Sequence, residues 1–193
     1  MSSTTPYRRI ETLEFAEKSI PESILNDVCP SLKSKSTIKH SKSDTGKNCV
    51  EKKITDSSHP AYPAYGLFAS RKLTSHEKII DYHGYVTMNG DEDKHSDYTY
   101  CFANRRLVID ANKVGSIARF CNDFRGIRDK PNAEFFEYRD KAGDLKCAIR
   151  VRKEIKAIAK GEEICVNYGK GFWVHRFGRD ALEKASLSSR VLE

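Results

Sequence analysis

The residues best suited to chemistry in this sequence are its six cysteines and six histidines. No two cysteines lie within four residues of each other, which excludes the closely paired spacing of a zinc knuckle. His76, His83 and His95 are separated by seven and twelve residues, and this spacing matches no compact set of metal ligands. We therefore predict no metal site.

Thiol chemistry needs a cysteine with a lowered pKa and a histidine that can act as its base. Cys121 or Cys101 could pair with His83 or His95 in this way. A low thiol pKa requires a helix N-terminus or neighbouring cations, and apart from Arg119 neither cysteine has such a setting in the sequence. A thiol hydrolase is therefore not favoured.

The elements that would position these residues are short strands. From Cys49 onward, runs of β-prone residues alternate with turn residues. Such a texture is typical of a β-rich domain and not of a helical bundle or a βαβ fold. The eight predicted strands are Cys49–Ile54, Gly66–Ala69, Lys78–Tyr82, Tyr98–Phe102, Leu107–Asp110, Glu134–Tyr138, Lys146–Val151 and Glu163–Val166.

Helical segments are predicted towards the two ends and once in the middle. Apolar residues recur at helical spacing between residues 9 and 28, with Pro21 interrupting the pattern. Ala111–Phe120 and the segment from Val174 to Leu187 are the other two candidates. Residues 30–48 are rich in Ser, Lys and Thr, which predicts a mobile linker.

Composition and charge restrict the possible classes of protein. The 193 residues are 38% apolar and 32% charged, with a net charge of +7. No apolar run approaches 18 residues, so we predict no membrane-spanning helix, and residues 1–10 carry no apolar signal region. The positive charge is spread along the chain, which is only a weak indication of nucleic-acid binding.

Motifs in a fixed order narrow the function. The segments are Tyr65–Ala69 (YGLFA), Asp81–Gly84 (DYHG), Ala118–Asp123 (ARFCND) with Pro131–Phe135 (PNAEF), and Gly161–Gly169 (GEEICVNYG) followed by Phe172 and Trp173. In this order they resemble the SET-domain protein lysine methyltransferases, over about residues 48–173.

The resemblance implies a mainly β, α+β fold of small sheets with a C-terminal pseudoknot. In it the Arg119–Asn122 segment threads through a loop that the Tyr168 segment closes, an arrangement that is rare among folds. The implied division is an N-terminal extension at 1–47 (a short helix and the linker), a SET domain at 48–173 and a helical tail at 174–193. Helical extensions would thus flank the β-rich domain on both sides.

The activity implied by the resemblance is methyl transfer from S-adenosylmethionine to a protein lysine. Tyr168 would orient the donor methyl group at the transfer point. Tyr98 and Tyr100 alternate on one strand, so they face the same side and would line the lysine channel. An aromatic channel accepts the aliphatic stem and favours the ammonium group by cation–π contact.

The resemblance also implies which residues bind the cofactor. Gly66 would let the backbone approach the donor closely because it lacks a Cβ. Asn122 would hold the donor with its amide, and Phe172 or Trp173 would cover the adenine. The full implied set is Gly66, Leu67, Phe68, Tyr82, Arg119, Phe120, Asn122, Asp123, Tyr168, Phe172 and Trp173, with Arg119 chiefly stabilising the knot.

Four positions depart from the family pattern. Ala64 stands at a usual glycine, Asp123 at a usual histidine, Val166 at a usual tyrosine or phenylalanine, and Asn167 at a usual aspartate. Because valine has less bulk and no hydroxyl, Val166 predicts a pocket that admits higher methylation, unless another aromatic residue such as Tyr100 refills the space. No cysteine follows Cys165, so the family's zinc segment is absent from this sequence, and the tail from Val174 is expected to cover the cofactor instead.

The implied partner is a protein with an exposed lysine, and a histone tail is favoured. The acidic loop from Asp91 to Asp97 would attract a basic tail and would repel nucleic-acid phosphates, so direct nucleic-acid binding is not expected. A histone substrate implies a nuclear location, with the cytoplasm as the other possibility. The four departures keep open the alternative of a catalytically degenerate SET module that binds a protein or chromatin. The oligomeric state stays open.

Overall fold

The computed structural model describes residues 7–16, 18–33 and 47–177. This part of the chain contains fourteen strands, which are β1 Arg8–Arg9, β2 Glu14–Phe15, β3 Cys49–Lys53, β4 Tyr65–Ala69, β5 Leu73–Thr74, β6 Lys78–Asp81, β7 Gly84–Met88, β8 Thr99–Phe102, β9 Leu107–Gly115, β10 Asn122–Asp123, β11 Ala133–Arg139, β12 Leu145–Val151, β13 Ala157–Ile158 and β14 Cys165–Val166. The helices are α1 Glu22–Val28 and α2 Lys170–Phe177, with 3-10 helices at Pro30–Lys33 and Ile117–Phe120. The β-rich prediction is therefore confirmed.

Small sheets make up the architecture. The largest is five-stranded, in the order β1-β9-β7-β2, with β8 pairing to β9 as well. A three-stranded sheet has the order β11-β12-β6, and β3–β4, β5–β13 and β10–β14 form pairs. Each of the eight predicted runs contains a strand, whereas β7 was not predicted, although its Tyr85-Val86-Thr87 core has the β-branched and aromatic residues typical of a strand.

The predicted helix over residues 9–28 is wrong before Pro21. The chain there forms β1 and β2, which pair in parallel with β9 and β7. Ile10 and Leu13 are buried against the sheet, and the Ile10 N–H donates to the Gly115 carbonyl at 3.0 Å. Pairing with an available sheet therefore overrides the helical spacing of the apolar residues. Among the described residues of the predicted segment 9–28, α1, which follows Pro21, is the part that forms a helix.

Two other predictions of secondary structure need correction. Ala111–Phe120 is not one helix, because β9 continues to Gly115 and only Ile117–Phe120 is a 3-10 helix. The predicted linker over 30–48 begins with an ordered turn, in which the Ser31 hydroxyl donates to the Asp144 carboxylate at 2.6 Å. Residues 34–46 of that linker lie outside the described residues, as does the predicted C-terminal helix beyond Phe177.

A single apolar core joins the sheets. Leu67, Ile79, Phe102, Ile109 and Ile149 are fully buried in it. Burying each such side chain contributes about 1.5–3 kcal/mol relative to leaving it exposed. In the part of the chain that the structure describes, no helix is long and apolar enough to cross a membrane.

Two segments distant in sequence meet at the edge of this core. β10 and β14 pair in parallel, with Asn122 opposite Cys165 and Asp123 opposite Val166. Asn132 locks the pair, because its amide oxygen accepts the Cys165 N–H at 2.8 Å and its amide nitrogen donates to the Glu163 carbonyl at 2.8 Å. These contacts bring the Arg119–Asp123 segment and the Tyr168 segment to one point.

Candidate active site

Tyr168 follows β14 directly and lies against the segment that contains β10. Its backbone N–H donates to the Asp123 carboxylate at 2.7 Å, and its hydroxyl donates to the Cys121 carbonyl at 2.8 Å. Burial raises the pKa of Tyr168 well above its ordinary value, and the neighbouring Tyr82 and Tyr98 raise it further. The hydroxyl therefore keeps its proton at physiological pH and can act as a hydrogen-bond donor.

An aromatic cluster, formed by the rings of Tyr82, Tyr100 and Phe135, lies beside this point, with the backbone of Tyr98 next to it. The Tyr82 hydroxyl donates to the Tyr98 carbonyl at 2.7 Å, and burial raises the pKa of both Tyr82 and Tyr100. The ring of Tyr100 stacks on Phe135 with centroids 4.6 Å apart. Phe135 was not predicted as a site residue, although it ends the PNAEF segment of the third motif.

Tyr98 differs from Tyr100 in its partner. The Arg119 guanidinium lies 3.8 Å from the centroid of the Tyr98 ring and 4.4 Å from that of Tyr7. Arg119 also donates to the carbonyls of Ala111 at 2.7 Å and Asn112 at 3.2 Å. Arg119 is thus held between two aromatic rings, one of them from the N-terminal segment, and its role in stabilising the knot stays a prediction.

Gly66 lies inside β4, where a side chain would collide with a carboxylate. A Cβ built on Gly66 would lie 2.7 Å from Oε1 of Glu163 and 3.0 Å from the ring of Phe68. The neighbouring Leu67 is fully buried, so only its backbone could meet a cofactor. The absence of a Cβ at Gly66 therefore makes room for the Glu163 side chain.

The Asn122 amide is oriented by a chain of hydrogen bonds. Its nitrogen donates to Oε1 of Glu163 at 2.9 Å and to the Tyr65 carbonyl at 3.2 Å. Oε2 of Glu163 lies 3.0 Å from Nε2 of His59, whose Nδ1 accepts the Ala61 N–H at 3.0 Å. Because Nδ1 accepts, Nε2 carries the hydrogen and donates to Glu163. Both amide hydrogens of Asn122 are thus engaged, and its carbonyl oxygen is the atom left to accept from a ligand.

Neither His59 nor Glu163 was predicted as a site residue. Glu163 lies within the GEEICVNYG motif, so its position was a usable signal. His59 lies in the long loop between β3 and β4, and nothing in the sequence connects it to Glu163. The contact joins residues 104 positions apart, so only the fold brings them together.

The remaining predicted residues surround Tyr168 and Asn122. The ring of Phe172, in α2, meets Tyr168 edge to face with centroids 4.8 Å apart, and Trp173 lies 6.0 Å from Phe172. The ring of Phe120 lies 5.4 Å from that of Tyr65. Whether Phe172 or Trp173 covers an adenine stays a prediction.

The departures from the family pattern are accommodated locally. The carboxylate of Asp123 pairs with Arg125 at 2.9 Å, and Val166 is fully buried. Among the described residues other than glycine, a positive φ occurs at His76, Ala103, Asn104 and Arg105, so alanine causes no strain at position 64.

The thiol alternative finds no support in this geometry. The Cys121 thiol is buried and donates to the Ile164 carbonyl at 3.2 Å, and burial raises its pKa well above the ordinary value. Burial also lowers the pKa of His83 to about 4. A buried thiol that keeps its proton is not a nucleophile. Within the described ranges, no three potential metal ligands are grouped together.

Comparison with known proteins gives one family and a curated relative. The model of the SET domain matches residues 64–169, which is more than half of the chain. A histone-lysine N-methyltransferase from Eremothecium gossypii, described as H3 lysine-36 specific, is 33% identical over 126 residues, covering 61% of this chain. The chain spans only 17% of the length of that relative.

One of the similar solved structures shares the fold. ATXR5 in complex with histone H3.1 mono-methylated on R26 matches with a TM-score of 0.56 and 18% identity, over 85% of this chain and 81% of that one. The Chaetomium thermophilum Polycomb Repressive Complex 2 bound to GSK126 matches with a TM-score of 0.48 and 22% identity, over 70% of this chain and 17% of that one. At these identities the first match shows likeness of fold alone.

Proposed function

The chain belongs to the SET-domain family, and on this basis we propose that it is a protein lysine N-methyltransferase that uses S-adenosylmethionine. The observation that carries the proposal is the meeting of Tyr168 with the Cys121–Asp123 segment, through two hydrogen bonds at 2.7 and 2.8 Å. These bonds hold the protonated phenol against the segment that contains Asn122, and the family resemblance implies that methyl donor and lysine meet there.

The residues present fit the cofactor. S-adenosylmethionine supplies an activated methyl group when bound. Asn122 offers its carbonyl oxygen as an acceptor for the ammonium group of an amino acid, because both of its amide hydrogens are already engaged. Tyr65, Gly66 and Phe120 lie next to this amide and would form the wall, and Phe172 would cover the ligand from α2.

The substrate lysine would enter through the aromatic cluster. Tyr98, Tyr100 and Phe135 would contact its aliphatic stem and exclude water, and their faces would favour the methylated ammonium that forms. A lysine ammonium has a reference pKa of about 10.4, and burial among rings lowers it, which favours the neutral amine that reacts. Alignment then supplies most of the rate, and the Tyr168 hydroxyl, whose hydrogen goes to the Cys121 carbonyl, would present an oriented oxygen to the methyl group.

A histone tail is the substrate we propose. The loop that precedes β8 carries the exposed carboxylates Asp91 and Asp93, close in sequence to Tyr98 and Tyr100. Such a loop attracts a basic peptide to the mouth of the channel. The names of the relatives agree with this choice, since one is described as specific for histone H3 and another was solved with histone H3.1. A histone substrate would place the protein in the nucleus.

The test uses purified protein with S-adenosylmethionine labelled in the methyl group, and core histones, nucleosomes and a cell lysate as acceptors. Methyl incorporation that falls at least about 100-fold in Tyr168→Phe supports the proposal. If the cofactor binds but no acceptor is labelled, the proposed histone substrate is wrong. If the cofactor does not bind at all, the catalytic proposal fails and the degenerate interaction module replaces it.

A further inference from the structure

An ion pair lies directly behind the main chain of Tyr168. Nη1 of Arg125 is 2.9 Å from each oxygen of the Asp123 carboxylate, and the Arg125 backbone N–H donates to Oδ1 at 3.0 Å. Both side chains are largely buried, with 11% of Arg125 and 5% of Asp123 exposed. Oδ2 of the same carboxylate also accepts the Tyr168 N–H, at 2.7 Å.

The same guanidinium reaches the residue before the tyrosine. Nη1 of Arg125 donates to Oδ1 of Asn167 at 3.2 Å, and that oxygen also accepts the Gly169 N–H at 2.8 Å. Arg125 thus donates to Asn167 directly, while the Tyr168 and Gly169 N–H groups donate to Asp123 and Asn167, the two partners of Arg125. Trp173 and Phe124 enclose the guanidinium, with ring centroids 5.8 and 4.7 Å from its central carbon.

We propose that Arg125 is a positioning residue for Tyr168 in the methyl transfer, acting through Asp123 and Asn167. This inference rests on the proposed function. A carboxylate as buried as that of Asp123 is costly without a counter-charge, so without Arg125 it would turn towards solvent. That change removes or weakens the acceptor of the Tyr168 N–H. The Tyr168 ring extends from this backbone, so a shift of its main chain displaces the hydroxyl.

The proposal also accounts for two departures from the family pattern. The family usually carries a carboxylate immediately before the tyrosine and a histidine after the asparagine. Here the carboxylate stands at 123 and an amide at 167, and Arg125 bridges the two positions. The carboxylate thus stands in the asparagine segment and not in the tyrosine segment, and the Arg125 guanidinium connects the two segments.

The experiment compares Arg125→Gln with Arg128→Gln, a matched control in the same loop. Among the described residues, the carboxylate that pairs with Arg128 is that of Glu162. A misplacement of about 1 Å can cost about 100-fold in rate. We expect Arg125→Gln to lower kcat by about 10- to 100-fold, with the cofactor Kd and the peptide KM within about threefold of wild type. Arg125→Lys, which keeps the charge but not the fork, should recover part of the loss.

Coupling distinguishes positioning from a general loss of structure. Asp123→Asn and Arg125→Gln should not be additive, so the double variant should have a kcat within about threefold of the worse single variant. If the two losses in kcat multiply in the double variant, Arg125 does not act on Tyr168 through Asp123 and the proposal is wrong. Equal losses in Arg125→Gln and Arg128→Gln, or a parallel loss of cofactor affinity and kcat, would also overturn it.

A second readout does not depend on activity. Hydrogen exchange of the peptide that contains residues 167–169 should be faster in Arg125→Gln than in wild type and unchanged in Arg128→Gln. If wild type transfers no methyl group, the proposed function fails, and this measurement still decides whether Arg125 holds the backbone of Tyr168. Unchanged exchange in Arg125→Gln would overturn the inference even if the enzyme is active.

Discussion

The hydroxyl of Tyr168 donates a hydrogen bond of 2.8 Å to the backbone carbonyl of Cys121, 47 residues earlier in the chain. This bond fixes the hydroxyl end of the ring, and the hydrogen bond from the Tyr168 N–H to Asp123 fixes the backbone end. The group proposed to orient the methyl donor is therefore placed before any ligand binds, and part of the alignment is built into the fold.

Tyr168→Phe removes this hydroxyl and keeps the ring. We expect an almost complete loss of methyl transfer, a cofactor Kd within about threefold of wild type, and a loss of about 0.5–1.5 kcal/mol in the free energy of unfolding. Filter binding of labelled product, calorimetric titration and urea denaturation measure the three quantities. Full activity in this variant would show that the phenol has no part in the reaction.

Gly66→Ala should weaken cofactor binding. The new Cβ would lie 2.7 Å from Oε1 of Glu163, so the carboxylate must move and release the Asn122 amide. Loss of one charge-assisted hydrogen bond corresponds to about a tenfold rise in the Kd for S-adenosylmethionine. Gly171→Ala is the matched control, since nothing described lies within 4 Å of its Cβ position. Equal affinities in the two variants would contradict the orienting role of Glu163.

Asn132→Ala should destabilise the protein strongly. The side chain is buried and satisfies the Cys165 N–H and the Glu163 carbonyl, both of which would lose a partner. Two unsatisfied buried groups cost about 2–5 kcal/mol in the free energy of unfolding. Asn89→Ala removes one exposed hydrogen bond and should cost less than about 1 kcal/mol. Urea denaturation of both variants makes the comparison, and similar losses would refute it.

Acid should destabilise the protein through His83. Its pKa in the folded protein is lowered by burial to about 4, from the ordinary 6.5, so on acidification the unfolded chain takes up the proton first. The stabilisation is complete above about pH 6.5 and is lost as the pH falls towards 4, amounting to about 2–3 kcal/mol between pH 7 and pH 4.5. Over the same pH interval, the free energy of unfolding of His83→Gln, measured by urea denaturation, should fall by about 2–3 kcal/mol less than that of wild type. An unchanged dependence on pH would contradict the buried neutral imidazole.

Val166 bears on how many methyl groups are transferred. We expect wild type at completion to yield di- or trimethyl-lysine, because valine offers less bulk than the family's usual aromatic residue and no hydroxyl. Val166→Tyr should shift the product towards monomethyl-lysine, measured by mass spectrometry of the peptide. Val50→Tyr, the same change at an exposed position of β3, is the control. Monomethyl-lysine as the sole wild-type product would refute the hypothesis.

Much of the fold could be predicted from the sequence, and the wrong predictions of secondary structure have one cause in common. Alternating β-prone residues located eight strands, but the segment around Ile10 and Leu13 has helical spacing and still pairs with β9 and β7. Local pattern predicts well where the local preference and the tertiary partner agree. It fails where a sheet edge offers backbone hydrogen bonds to a segment that prefers another state.

The candidate site shows the same division. The motifs around Gly66, Asn122 and Tyr168 are local and could be read directly. Their connections through His59–Glu163, Glu163–Asn122 and Arg125–Asn167 could not, because each joins side chains whose meeting depends on the packing of several elements.

The sequence by itself determined the β-rich class, the family resemblance and the residue types at the proposed reaction point, because these depend on composition, short-range pattern and motif order. Only the tertiary structure decided that the Asn122 amide donates to Glu163, that the Asp123 carboxylate accepts the Tyr168 N–H, and that Tyr7 reaches Arg119. The physical reason is that hydrogen bonds and ring contacts act over a few ångströms. Chain segments more than 40 residues apart meet at that range only after the whole core has packed.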